Sequence, residues 1–305
     1  MPITKPLLIC VVGATAIGKT SLAIKLAKAF NAEIISADSR QFFKEMSIGT
    51  AVPSKKELQA ATHHFIQNKS IFEDYSVGDF EKAVISFLEN YFREKKVAIL
   101  VGGSGLYVDA VVKGLNDFPE VASEIREQLN VELKENGIER LQNELRQVDP
   151  AYFKKVDIQN PHRLIRALEI FRTTGKPYSI FLKKETVNRN FKPFFIGLTA
   201  ERETIYNRIN HRVEKMIEEG LLDEAKALFP YKEKNALQTV GYRELFEYFE
   251  GKISLEEAIS EIKKNTRRFA KRQNTWFKKN EAIHWFDYET EGADIIKFIK
   301  EKNAL

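Results

Sequence analysis

Leu7-Leu8-Ile9-Cys10-Val11-Val12-Gly13-Ala14-Thr15-Ala16-Ile17-Gly18-Lys19-Thr20 is the stretch that decides the fold. Its first six residues are an apolar run of the length of a buried strand. The next eight, Gly13 to Thr20, complete the pattern G-x-x-x-x-G-K-[ST]. After them Leu22, Ala23, Leu26, Ala27 and Phe30 recur at helical spacing. Strand, glycine loop and helix in that order are the setting in which this motif cradles phosphates. Loop amides and the helix N-terminus point at the anion. Lys19 adds a full positive charge, and the Thr20 hydroxyl is a candidate Mg²⁺ ligand. A bound phosphorylated small molecule is expected, held by Gly13, Ala14, Thr15, Ala16, Ile17, Gly18, Lys19 and Thr20.

Outward from the loop, four more segments read as strands: residues 33–37, 97–101, 194–198 and 283–286. They alternate with helical patterns, among them residues 80–92. Such alternation argues for an α/β fold, a parallel sheet with helices on both faces. Ligands then bind at the carboxyl ends of the strands. Three polar clusters fall there: the phosphate loop, Asp38-Ser39-Arg40-Gln41, and Gly102-Gly103-Ser104-Gly105. Between about residues 118 and 193 the strand signals stop. Helical patterns cover 121–133, 138–148 and 161–173, with Asn160-Pro161 as a start signal and Thr174-Gly175-Lys176-Pro177 as a stop. The expected organisation is a core of residues 1–117 and 194–305, with an all-helical domain, residues 118–193, inserted into it.

With 305 residues, 43% of them hydrophobic and 30% charged, the chain can bury a large core and has the composition of a globular protein. No apolar run approaches the ~20 residues that span a membrane. The first strand begins almost at once, so no signal peptide is expected, and the reading is cytoplasmic. The single cysteine, Cys10, lies in the apolar strand and is expected as a buried core thiol. The net charge of +5 is mild, but its distribution is uneven. Residues 262–280 hold no acid, yet carry Lys263, Lys264, Arg267, Arg268, Lys271, Arg272, Lys278 and Lys279. Such a stripe suits phosphates, and a solvated helix face would carry the same residues. Ile262, Phe269 and Trp276 recur every seven residues along it and are expected to anchor that helix to the core.

Several side chains are placed for chemistry. Asp38 ends the second strand beside the phosphate loop, where a carboxylate could take a proton, hold Mg²⁺ through water, or cap a helix. Ser104 would present a hydroxyl from a glycine turn. Arg163 and Arg166 share a helix face and could clamp phosphates, or simply be solvated. Gly241-Tyr242-Arg243 offers an aromatic ring and a bidentate cation together. His63-His64 lacks a third ligand at metal spacing and reads as structural or close to a substrate.

Taken together, these motifs resemble one family, the bacterial tRNA dimethylallyltransferases, also called tRNA isopentenyltransferases. The match rests on residues 13–20, Ala37-Asp38-Ser39-Arg40-Gln41, Ile48-Gly49-Thr50-Ala51 and residues 102–107. It continues through His162-Arg163-Leu164-Ile165-Arg166-Ala167-Leu168-Glu169, Val240-Gly241-Tyr242-Arg243 and Lys271-Arg272-Gln273-Asn274-Thr275-Trp276-Phe277. The resemblance covers nearly the whole chain. It implies transfer of a dimethylallyl group from its diphosphate to the exocyclic amine of the adenine just 3′ of the anticodon. It makes Asp38 the general base, puts Ser104 at the reacting centre, and gives the loop a diphosphate with Thr20 on Mg²⁺. The family often has Thr where this chain has Ser104, and the hydroxyl is kept. By the same resemblance tRNA is touched by Asp38, Ser39, Arg40, Gln41, Ser104, Arg126, His162, Arg163, Leu164, Ile165, Arg166, Val240, Gly241, Tyr242, Arg243, Lys271, Arg272, Gln273 and Trp276. The loop's usual implication, ATP or GTP, gives way to a prenyl diphosphate. The expected partners are the tRNA anticodon stem-loop and dimethylallyl diphosphate, with no membrane and a monomeric state. Three other readings share part of the pattern: a small-molecule kinase, a prenyltransferase of free adenine nucleotides, and an RNA-binding NTPase. A kinase does not need the basic helix, and a free-nucleotide enzyme needs neither that helix nor so long an insert.

Overall fold

The computed structural model describes residues 5–182 and 187–304. Residues 183–186, at the end of the expected insert, and residues 1–4, ahead of the first strand, lie outside the described residues. In chain order the elements are β1 (Leu7–Gly13), α1 (Lys19–Phe30), β2 (Ile34–Ser36), α2 (Lys55–Ala60), β3 (His63–His64), α3 (Val77–Tyr91), β4 (Val97–Gly102) and α4 (Gly105–Lys113). Then come α5 (Ser123–Asn136), α6 (Ile138–Val148), α7 (Pro150–Phe153) and α8 (Pro161–Thr174). The chain ends with β5 (Lys192–Thr199), α9 (Arg202–Glu218), α10 (Leu221–Leu228), α11 (Tyr242–Phe249), α12 (Leu255–Phe277), β6 (Ile283–Asp287) and α13 (Gly292–Asn303).

The six strands pair in the order β3-β2-β4-β1-β5-β6, and every pairing is parallel. β1 is central because both its faces are apolar, and strand side chains alternate between faces. Leu7, Ile9 and Val11 face one layer, with Leu26 and Ala27 of α1 and Ile295 and Ile299 of α13. Leu8, Cys10 and Val12 face the other, with Phe80, Val84 and Leu88 of α3 and Val108 and Val111 of α4. Helices therefore cover both faces. Burial pushes the Cys10 thiol far above its ordinary pKa, as expected of an inert core thiol. β3 was not legible in the sequence: it is two residues long, with His64 held by Glu33 next to β2.

Two compact units divide the chain, one formed by Met1–Lys113 with Asn188–Leu305 and the other by Gly114–Val187. The second unit therefore starts and ends a few residues ahead of the 118–193 read from composition. Asn188 and Arg189 already belong to the sheet unit, where Lys5 Nζ donates to the Asn188 side chain at 2.9 Å and to the Arg189 carbonyl at 2.7 Å. The helical unit closes on Leu129, Leu141, Leu145, Leu164, Ile165, Ala167 and Leu168. Its polar seam is ionic. Glu169 is buried between Arg126 and Arg166, and Arg172 of α8 reaches Glu132 of α5 and Glu144 of α6.

Candidate active site

The carboxyl ends of β1, β2 and β4 bring the three polar clusters together. Gly13 closes β1 at φ +142°, and a Cβ there would lie 2.6 Å from the Leu198 carbonyl of β5. No side chain fits, so the chain can leave the sheet here only as glycine. Helices α2, α3 and α12 each begin with a serine capping box, but α1 starts after Gly18 with no side-chain cap. Its first amides therefore remain available to an anion.

Cations and struts shape the loop. Lys19 Nζ donates back to the Ala14 carbonyl at 2.7 Å. From α9, Arg212 Nη1 donates to Thr15 Oγ1 at 3.2 Å and Arg208 Nε to the Ala16 carbonyl at 2.8 Å. Neither arginine nor Lys19 has an ion-pair partner among the described residues. Burial draws Lys19 down to about 8, the Arg212 charge adds to this, and Asp38 opposes it. Burial likewise lowers Arg212, against the pull of Asp38. Three cations converge on one loop with no carboxylate paired to them, an arrangement that an anionic ligand completes.

Asp38 lies two residues past the end of β2. Its Oδ1 accepts the backbone N–H of Arg40 at 3.1 Å. Burial raises its carboxyl above the ordinary range, while that N–H and the Lys19 charge pull the other way. No cation is ion-paired to it among the described residues, so its oxygens remain available to take a proton. Ser104 lies at the head of α4. Its Oγ accepts the Ser39 N–H at 3.2 Å and donates to Ser39 Oγ at 3.2 Å. A hydroxyl and a carboxylate thus meet beside the loop.

The IPP transferase family model matches residues 41–280. The chain belongs to this family. Curated members from Christiangramia forsetii and Flavobacterium psychrophilum, both named tRNA dimethylallyltransferase, are 61% identical over 97% of this chain and 98% of theirs, and 57% identical over the same shares. The crystal structure of the full-length tRNA isopentenylpyrophosphate transferase from Bacillus halodurans superposes with a TM-score of 0.74 at 37% identity, covering 98% of this chain and 97% of that one. A eukaryotic dimethylallyltransferase acting on tRNA gives a TM-score of 0.82 at 26% identity, over 98% of this chain and 79% of its own.

In this IPP transferase several residues read as nucleic-acid contacts pack or bond within the protein, although the Arg126 side chain stays more than half exposed. The Tyr242 ring is fully buried, with its hydroxyl 2.7 Å from Glu224 Oε1, so it cannot offer a face to a base. Its position one residue into α11 turns it inward with Leu245 and Phe246. Leu164 and Ile165 are core residues of the helical unit, leaving His162 and Arg163 exposed beside them. Arg126 clasps Glu169 with Nε to Oε2 at 2.7 Å and Nη2 to Oε1 at 2.8 Å. Arg166 pairs with the same carboxylate and lies over the Phe118 ring.

Gln273 is buried and works as a strut. Its Oε1 accepts the Thr15 N–H at 2.8 Å, and its Nε2 donates to the Gly103 carbonyl at 3.0 Å. It joins the phosphate loop to the Ser104 turn. The seven-residue repeat on α12 does not anchor that helix: Ile262 is buried, but Phe269 and Trp276 are 37% and 40% exposed. Phe269 and Trp276 each lie one position, about 100° of helical turn, off the buried Ala270 and Phe277 that follow them. The buried line runs instead through Ala258, Ile262, Ala270, Gln273 and Phe277. Trp276 covers Gly105 and donates Nε1–H to Asp109 at 3.0 Å. Lys263 and Lys264 pair with Glu214 and Glu261, whereas Lys271, Arg272, Lys278 and Lys279 stay exposed and form no ion pair among the described residues. His63 and His64 lie on the edge strand, and no group of metal-binding side chains exists among the described residues.

Arg208 and Arg212 were not singled out in the sequence. Their only mark there is an i, i+4 arginine pair on the helix after β5, nearly 200 residues from the loop that they touch. Glu224 was missed too, since an acid beside Asp223 in the first turn of a helix reads as an ordinary start of that helix.

Proposed function

We propose that this chain transfers a dimethylallyl group from dimethylallyl diphosphate to the exocyclic amine of the adenine 3′ of the anticodon in tRNA. The observation that carries the reading is Asp38: a carboxylate at a strand end, next to a phosphate cradle with three cations, none of the four ion-paired among the described residues. A kinase cradle explains the cations; a base beside it explains a nitrogen nucleophile. The amine nitrogen attacks the first carbon of the dimethylallyl group, the carbon–oxygen bond to diphosphate breaks, and Asp38 accepts the amine proton. That proton matters because the lone pair of an aromatic amine is delocalised. Lys19, Arg208, Arg212 and the α1 amides meet the charge that grows on the departing oxygens. Ser104 and Ser39 present hydroxyls at the reacting centre.

Thr20 offers one hard oxygen donor, too few for a protein-only cage, which suits Mg²⁺ held largely by a diphosphate. Bound there, Mg²⁺ would neutralise the leaving group further. The adenine must leave its stack to reach a half-buried carboxylate. Exposed Lys271, Arg272 and Trp276 on α12 and Lys278 and Lys279 just past its end, with Arg40, His162, Arg163 and Arg243, are the proposed grips on the RNA.

Incubating the protein with tRNA, dimethylallyl diphosphate and Mg²⁺, then digesting the tRNA, should yield dimethylallyladenosine by mass analysis. Phosphate transfer from ATP with no prenylated nucleoside would overturn the reading in favour of a kinase. The pH profile has a direction on each side. Asp38 must be ionised, so the rate falls as pH drops through its raised pKa. Lys19 must be charged, so kcat/KM for the diphosphate substrate falls above about 8. Lys19→Arg should move only the alkaline limb upward, because a guanidinium stays protonated; an alkaline limb that does not move would remove Lys19 from that role.

A further inference from the structure

Glu224 lies on α10 and makes no hydrogen bond to the phosphate loop or to Asp38. One of its carboxylate oxygens accepts the backbone N–H groups of Ser47 and Ile48, each at 2.9 Å. The other accepts the Gly49 N–H at 2.9 Å and the Tyr242 hydroxyl at 2.7 Å. Three consecutive amides on one carboxylate fix the conformation of a turn, since charge-assisted bonds to N–H groups are among the stronger ones. The turn is also pressed against the buried tyrosine. A Cβ at Gly49 would lie 2.6 Å from the Tyr242 ring and hydroxyl, so only glycine permits this approach.

The turn passes its position onward. Gln41 Nε2 donates to the carbonyls of Thr50 at 3.2 Å and Ala51 at 2.9 Å, while Gln41 Oε1 accepts Ser36 Oγ–H at 3.1 Å. Gln41 therefore joins the turn to the end of β2, across the segment that holds Asp38, Ser39 and Arg40. Gln67 Nε2 braces the same turn through Ser47 Oγ at 2.7 Å, and the Gln67 N–H bonds the Gln41 carbonyl at 2.8 Å. Thr15, Lys19, Arg208 and Arg212 belong to none of these bonds.

We propose that Glu224 is a positioning residue for the transfer, acting through the 47–51 turn and Gln41 on the register of Asp38. This rests on the dimethylallyl-transfer reading. It explains why Ile48-Gly49-Thr50-Ala51 and Gly241-Tyr242 belong to one device despite their separation in sequence. Glu224 grips the turn, Tyr242 packs against it and completes the carboxylate's bonding, and Gln41 reads its carbonyls. The consequence is asymmetric. The proton-accepting side of the site depends on Glu224, and the diphosphate side does not.

Glu224→Gln is the sharpest variant, because the amide keeps the shape but turns a donor toward N–H groups that need an acceptor. Its kcat should fall on the order of 10- to 100-fold, the scale on which small misplacements act. Its KM for dimethylallyl diphosphate should stay within about two-fold of the parent value. Glu224→Asp should recover part of the loss by restoring the carboxylate, and Tyr242→Phe should lose less than Glu224→Gln, since the three amides remain bonded. Amide hydrogen exchange supplies a readout independent of transfer. In Glu224→Gln, exchange should quicken at Ser47, Ile48, Gly49 and Arg40, while the Thr15 amide, held by Gln273, stays as protected as in the parent. Parent-like kcat in a folded Glu224→Gln protein would overturn the proposal. So would a loss that raises the KM for diphosphate in step with kcat, or exchange that quickens at 47–49 alone and leaves Arg40 untouched. A parent protein that prenylates no tRNA would instead sink the transfer reading, and the exchange pattern would still decide whether Glu224 governs the Asp38 segment.

Discussion

Asp38→Asn is expected to lower the transfer rate on the order of 10²- to 10⁴-fold, the range in which a positioned base contributes. The substitution is nearly isosteric. Asparagine's oxygen can still accept the Arg40 N–H that Asp38 Oδ1 now takes at 3.1 Å, so the segment should keep its shape. What disappears is the capacity to accept a proton as the carbon–nitrogen bond forms. The KM for dimethylallyl diphosphate and the affinity for tRNA should therefore stay within a few-fold. Removing the carboxylate also relieves the field that holds Lys19 up against burial, so the alkaline limb of kcat/KM should shift slightly lower. Single-turnover rates beside equilibrium tRNA binding make the decision. If binding collapses while the rate from bound complex persists, Asp38 is a recognition residue and the base lies elsewhere.

Lys19→Ala should have the second large effect, on the order of 10²- to 10³-fold in kcat/KM for the diphosphate substrate, the scale of losing one preorganised group facing developing charge. The ammonium is half-buried at the loop and bonded to the Ala14 carbonyl. Without it the loop keeps Arg208 and Arg212 on its outer side, which is why some activity should survive. Both kcat and KM should suffer, because diphosphate is charged when bound and more charged when leaving. A loss confined to the KM for tRNA would contradict the placement of the diphosphate in this loop. Steady-state kinetics with each substrate varied in turn separate the two cases.

The legible parts of this chain are those in which local chemistry and function coincide. Leu7 to Thr20 announced a strand, a loop and a helix because the apolar run, the glycines and the helical spacing all act within a few residues of each other. Asp38 and Ser104 were legible because they follow apolar strands directly, and strand ends are where a parallel sheet gathers its ligands. The illegible parts depend on distant partners. Trp276 and Tyr242 are both aromatic residues in polar surroundings, and the sequence ranks the first as core and the second as exposed. The structure inverts this: α12 turns Phe277 inward and leaves Trp276 at the surface over Gly105, and the first turn of α11 carries Tyr242 into the packed layer beneath Gly49. Gln273 lies within a basic run yet points inward, to the Thr15 amide and the Gly103 carbonyl.

Sequence alone determined the buried first strand, the phosphate loop on its end, the carboxylate beside it and the existence of a helical insert. Each follows from side-chain period or backbone freedom, which act over a handful of residues. Only the tertiary structure decided which cations serve the loop and which acids hold the turns. Arg208, Arg212 and Glu224 are ordinary charged residues on helices after β5. Their meaning comes from the backbone and hydroxyl groups set opposite them, 170 residues or more away in the chain, by the packing of those helices with the sheet. Charge and hydrogen-bonding act through space, and a charged side chain's partner is set by the fold and not by its neighbours in sequence.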